Sequence, residues 1–148
     1  MHARTKIRNA LVNILNNIDG LQNVPVFGNP VLPIEKEEFP CIIVHTAGES
    51  IEYETPSYPR LQVRTLTVHI TAVCKATSNY EELLDDFLLK VEDTLGKEEN
   101  KTLGGLINYW ERKDDDLDFD PEEQVYAQGR LSIELTYRTL ENNNSITY

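Results

Sequence analysis

From Val125 to Tyr137, apolar side chains recur at alternate positions: Val125, Ala127, Leu131, Ile133, Leu135 and Tyr137. Gln128, Arg130, Ser132, Glu134, Thr136 and Arg138 take the places between them. A period of two sends successive side chains to opposite sides of the backbone, so this stretch reads as a strand with one buried face. One strand cannot bury itself. It needs partner strands and a covering layer, and the rest of the sequence offers both.

The partner strands precede it. CIIVHTA, from Cys41, is a dense β-branched run expected at a central position covered on both faces. Ser50 to Glu54 alternates weakly, Thr55 to Pro59 reads as a turn, and Arg60 to Ala72 reads as a long strand. In that strand Leu66, Val68, Ile70 and Ala72 share a face, whereas Leu61 and Val63 have the opposite phase. The switch predicts either a bulge or a segment projecting beyond the body and burying its other side elsewhere. A shorter strand is expected over Leu106 to Arg112, after the turn Leu103-Gly104-Gly105-Leu106.

The covering layer is helical. Ile7, Ala10, Leu11, Ile14, Leu15 and Ile18 fall at steps of three and four within a helix expected from about Thr5 to Ile18 and stopped by Asp19-Gly20. An irregular connection follows, with Pro25, Pro30 and Pro33 around the short apolar piece Val26-Phe27 and room for one short strand, before the acidic run Glu35 to Glu38. In the second helix, Ser78 is the expected cap and Glu81 completes a capping box. Tyr80, Leu83, Leu84, Phe87, Leu88, Val91 and Leu95 form its apolar stripe, and Gly96 ends it. Its other face carries Glu81, Glu82, Asp85, Asp86, Glu92 and Asp93. The sum is one α+β domain over residues 1–138, a mostly antiparallel sheet with two amphipathic helices and a projecting β-hairpin. The polar segment 139–148 is expected to be a flexible tail.

Composition narrows the function. With 25 acidic and 14 basic residues the formal charge is −11, a field that repels phosphate backbones and argues against gripping nucleic acid. No apolar run approaches the roughly 18 residues that suggest a membrane span. Cys41 and Cys74 have no metal-ligand spacing and read as buried free thiols.

The acidic loop Asp114 to Glu123 is the main chemical temptation, since Asp116, Asp118 and Asp120 imitate the start of a calcium loop. Such a loop needs glycine at its sixth place and a bidentate glutamate at its twelfth, where Pro121 and Ala127 stand. His2, His45 and His69 lack a third ligand at fixed spacing, although His45 and His69 fall in strands that could be neighbours. Glu82 and Asp86 share a helix face at i and i+4, but exposed carboxylates make poor proton donors at neutral pH. No serine elbow or glycine-rich phosphate loop is present. No catalytic, metal or cofactor site is therefore expected. Tyr53, Tyr58, Tyr109 and Trp110 suit either core or interface, and the first two flank the hairpin tip, where a core role is least natural.

The helix IRNALVNIL, the segment EKEEFPCIIVHTAGESIEY, the strand TLTVHITAV, the acidic helix and the closing LSIELTYR together resemble the tail terminator family, the minor tail protein U type of lambda-like long-tailed phages. The likeness runs from about Ile7 to Arg138, most specifically in the acidic residues before Phe39-Pro40 and the apolar strand ending near Gly48-Glu49. The DDD stretch after Trp110 follows in order. The sequence departs from the pattern by a longer connection over Gly96 to Leu103 and by the tail ENNNSITY.

The resemblance implies a non-enzymatic virion protein of the tail or neck, assembled in the bacterial host cytoplasm. It forms a hexameric ring, from subunits that can be monomeric in solution, and the ring stops growth of the tail tube and presents a surface for head-tail joining. Its implied partners are itself, the tube protein and a head-tail connector protein, with DNA passing through unbound. Glu52, Tyr53, Tyr58, Arg60 and Leu61 are the expected subunit or tube interface. The alternatives are a connector or stopper on the portal side, a small metal-dependent hydrolase built on Asp114 to Asp120, and a binding module with no viral role.

Overall fold

The structure, a computed structural model, describes residues 1–21, 23–28, 40–75, 79–113, 116–118 and 126–148. Its long strands β2 (Cys41–Tyr53), β3 (Leu61–Lys75) and β6 (Tyr126–Leu140) form the centre of the sheet, and three short strands complete it. These are β1 (Val26–Gly28), β4 (Tyr109–Arg112) and β5 (Asp116–Asp118). The order is β1-β2-β3-β6-β4, with β5 pairing β6 further along. Only β1 is parallel to its neighbour; the remaining pairs are antiparallel. Helices α1 (Ala3–Asn16) and α2 (Tyr80–Leu95) pack their apolar stripes on the sheet, giving the expected α+β fold.

The core lies between helices and sheet. Ile7, Leu11 and Leu15 from α1, and Leu84, Val91 and Leu95 from α2, meet Ile42, Val44, Leu66, Val68 and Ile70 on β2 and β3 and Leu131, Ile133, Leu135 and Tyr137 on β6. The buried apolar positions predicted for the last strand are seen at Ala127, Leu131, Ile133, Leu135 and Tyr137, Val125 lying outside the described residues. Ser132 and Thr136 on the other face are buried as well, and β6 continues to Leu140.

Several boundaries differ from expectation, each for a local reason. Helix α1 already starts at Ala3, because His2 accepts the Arg4 N–H on its Nδ1 at 3.0 Å, and it ends at Asn16. Ile18 is buried beyond the helix end, and Gly20 takes its left-handed φ of 88° in the following turn. Asn79, not Ser78, precedes the first turn of α2, and its side chain makes no cap hydrogen bond; Ser78 itself lies outside the described residues. The expected strand over Leu106 to Arg112 shortens to β4, since Leu103, Gly104 and Gly105 all have positive φ and keep the chain turning. Within the acidic loop, 116–118 forms β5, paired with Gln128, Gly129 and Arg130; Asp114, Asp115, Phe119 and Asp120 lie outside the described residues.

The phase switch at Leu61 to Leu66 has a different cause from the predicted bulge in that strand. Strand β3 pairs with β6 without a break from Leu61↔Leu140 to Lys75↔Tyr126. Its burial alternates evenly from Leu61 to Ala72, but two of the buried positions are Gln62 and Arg64. The core face simply becomes polar there. The bulge is on the partner strand, between Thr46 and Gly48 of β2.

Candidate functional site

The end of the sheet around the turn between β2 and β3 gathers the chain's unusual features. At its base is a buried charge. The Glu49 carboxylate and Arg64 guanidinium form an ion pair through Glu49 Oε1, with side chains 4% and 7% exposed. Arg64 also donates from Nε to Thr139 Oγ1 at 2.9 Å, and from its second amino nitrogen to Gln62 Oε1 at 3.0 Å and Asn144 Oδ1 at 2.8 Å. The Tyr137 hydroxyl donates to Glu49 Oε2 at 2.8 Å, and burial, helped by this carboxylate, holds its pKa well above the usual phenol range. A buried ion pair is tolerable only when its remaining polar valences are met, and here they are.

The segment 139–148 closes this cluster. Asn144 accepts from Arg64 through its side chain and from the Ala3 N–H through its carbonyl at 3.0 Å. Lys6 donates to the Ser145 carbonyl at 2.7 Å, and the Tyr148 N–H donates to the Arg138 carbonyl at 3.0 Å. The polar tail expected to be mobile is therefore bonded to α1, β3 and β6.

Above the base, two arginines clamp the turn. Arg60 donates from its backbone N–H to Glu141 Oε1 at 2.8 Å and from its guanidinium to both carboxylate oxygens at 3.1–3.2 Å. The same guanidinium lies 3.7 Å from the Tyr53 ring centroid, a cation–π contact. Arg138 grips Glu54 at 2.8–3.2 Å and Asn108 Oδ1 at 2.8 Å. These arginines hold the carboxyls of Glu54 and Glu141 below the usual range, chiefly through the guanidinium hydrogen bonds. At the tip, Thr55 Oγ1 accepts from the Leu61 N–H at 2.8 Å.

On this frame sits the exposed apolar surface. Of the eight large hydrophobic side chains exposed among the described residues, six lie at this end: Ile51, Tyr53, Tyr58, Tyr109, Ile146 and Tyr148. The strand register divides them between the two faces. Ile51 and Tyr53, opposite Arg64 and Gln62, lie on the core-side face, whereas Tyr109, paired with Thr136 and through it in line with Thr65, lies on the other. Tyrosine supplies contact area at low entropic cost and is enriched in protein interfaces. Leu106, Trp110 and the other partly covered apolar groups pack against the core instead.

The chain matches no protein-family model and no curated protein.

Of the five residues predicted as an interface, Tyr53 and Tyr58 are 49% and 76% exposed, Glu52 is exposed on the opposite side of β2 from Tyr53, and Leu61 is half-buried. Arg60 is committed to Tyr53 and Glu141, so it shapes the surface more than it reaches beyond it. Tyr109, which suits either core or interface in the sequence, is 47% exposed, and Ile146 and Tyr148, in the segment expected to be a flexible tail, were not anticipated as exposed apolar groups at this end.

Elsewhere the candidate chemistry is sparse. His45 and His69 are register partners, as their strands suggested, and His69 Nδ1 lies 2.8 Å from Ser132 Oγ. Among the described residues, no group of three or more His, Cys, Asp or Glu side chains is placed to hold a metal ion. Cys41 and Cys74 are both buried, and burial raises the Cys74 pKa. No helix among the described residues is long and apolar enough to cross a membrane.

Proposed function

We propose that this chain is a virion assembly protein of the tail terminator type, which forms a ring on the end of a phage tail tube, halts tube growth and offers the joining surface for the head. The observation that carries the reading is the tyrosine-rich sheet end held rigid by Arg60–Glu141 and Arg138–Glu54. A chain with an exposed, preorganised aromatic surface is built to bind another protein. The ordered likeness from Ile7 to Arg138 supports the same reading, as does an α+β fold with the anticipated element order. Ring closure requires one patch of a subunit to meet a different patch of the next. The formal charge of −11 suits a ring through which DNA slides unbound. In this reading the protein catalyses nothing and needs no cofactor.

Negative-stain microscopy of the purified chain with and without tail tubes tests it. The expected result is rings seated on tube ends, with tubes that no longer elongate. Particles lacking the protein should carry overlong tails. Tails of normal length that fail to attach to heads would move the role to a connector on the portal side, and unaltered particles would end both readings.

A further inference from the structure

A cleft of about 450 Å³ opens between the C-terminal end of α2 and β4, with Leu95, Tyr109 and Trp110 along its walls and Lys97, Glu98 and Lys101 at its rim. It is an apolar slot in a strongly acidic molecule, with two cations beside it. We propose that this cleft receives Tyr58 from a second copy of the chain, with Lys97 and Lys101 facing that copy's Glu52. The inference rests on the ring reading and names the contact that builds the ring.

Three observations select this occupant. Tyr58 is the most exposed large hydrophobic side chain among the described residues, at 76%, on a turn fixed at its base by Thr55 and Arg60. No residue of that turn lines the cleft of its own copy, so the two are separate patches, as a head-to-tail contact requires. Charge selects the pairing further. Copies carrying −11 each repel one another, and the rim, with two lysines and one glutamate, is a place where an incoming carboxylate is attracted. Glu52 is exposed and belongs to no ion pair among the described residues, while its neighbour Glu54 is already held by Arg138. An aromatic side chain entering an aromatic-walled slot ringed by polar groups is the usual anatomy of an interface hot spot.

The test uses the full chain. Trp110 is its only tryptophan, so emission shifted to shorter wavelength as dilute protein is concentrated is expected, and Tyr58→Ala should abolish the shift. Because Cys41 and Cys74 are buried, a Ser57→Cys/Glu98→Cys variant, which keeps Tyr58 and both rim lysines and changes two exposed residues beside them, reports contacts cleanly. Oxidation should give dimers, trimers and a higher ladder, whereas each single variant stops at the dimer. Glu52→Lys, and Lys97→Glu with Lys101→Glu, should each weaken self-association several-fold, and the combined variant should recover it. A chain that stays monomeric at every concentration, a ladder ending at the dimer, or charge reversals that do not rescue each other overturns the proposal. The two readings fail separately: tubes still capped by Tyr58→Ala condemn the contact and spare the capping role. A proper ladder without capping does the reverse.

Discussion

All three nitrogens of the Arg64 guanidinium donate to protein acceptors, on Glu49, Thr139, Gln62 and Asn144, in a site that leaves its side chain 7% exposed. Truncating it to alanine leaves the Glu49 carboxylate in that site with the Tyr137 hydroxyl and, at 3.8 Å, the half-exposed Arg4 guanidinium as its remaining partners. Removing one partner of a buried pair costs about 3–5 kcal/mol, so urea unfolding of Arg64→Ala should show a loss in that range. A loss below about 1 kcal/mol, the level of exposed pairs, would mean water reaches the site. The outer pairs behave differently. Glu54 and Glu141 have folded-state pKa values below the ordinary 4.5, from their hydrogen bonds to Arg138 and Arg60. Their contribution is therefore complete above the unfolded pKa and is lost as pH falls through the lower folded values. Thermal melts of Glu54→Gln/Glu141→Gln should fall below the unaltered chain at pH 7 and converge with it at strongly acidic pH. A gap that persists in acid would trace the effect to packing. None of this was legible from the sequence, because Arg64 lies within β3 beside Leu61 and Val63, whose apolar phase makes Gln62 and Arg64 look like the outer face. Burial of an arginine is decided by a partner fifteen residues earlier and by a tail eighty residues later, which periodicity does not sense.

At the scale of elements, the sheet and both helices could be read from the sequence because their hydrophobic periods are long and uninterrupted: α1 on Ile7, Leu11 and Leu15, α2 on Leu84, Val91 and Leu95, β6 on Leu131 to Tyr137. What escaped was the placement of segments without a period. The residues Glu141 to Tyr148 carry no apolar repeat, yet their backbone and amides complete the bonding of Ala3, Arg64 and Arg138. The start of β4 was misplaced for the same kind of reason, since positive φ at Leu103 is not signalled by a leucine. Truncation after Glu141 is expected to remove the Asn144 acceptors of Arg64 and of the Ala3 N–H. Each buried polar group left without a partner costs about 1–3 kcal/mol. The truncated chain should lose roughly 2–4 kcal/mol by urea unfolding, and hydrogen exchange should quicken first in the opening turn of α1. If stability is unchanged, water replaces the tail without penalty. The truncation also removes exposed Ile146 and Tyr148, so it should weaken self-association beyond what stability explains.

At the scale of the whole molecule, assembly sets a short-range attraction against a long-range repulsion, and magnitudes decide which dominates the salt dependence. A compact chain of 148 residues has a radius of gyration of about 15 Å, so docked copies lie about 40 Å apart between centres. Two charges of −11 at that distance repel by roughly 12 kcal/mol in unscreened water. With a Debye length of about 30 Å at 0.01 M salt, roughly 3 kcal/mol of this survives, and at 0.15 M, where the length is about 8 Å, under about 0.1 kcal/mol. The opposing contacts of Glu52 with the rim lysines are exposed pairs worth about 0.2–1 kcal/mol each, and salt weakens them by no more than that. Repulsion therefore controls the trend. Self-association measured by sedimentation should strengthen on the order of 100-fold between about 0.01 and 0.15 M salt. Above that range it should flatten or fall slightly, as the paired charges become the only electrostatic term still being screened. Lowering the pH toward the sequence pI of about 4.6 should strengthen association at low salt by the same mechanism, until Glu54 and Glu141 protonate and the clamped turn loosens. Association that weakens steadily from the lowest salt upward would show that close ion pairs, not the tyrosine surface, hold the copies together.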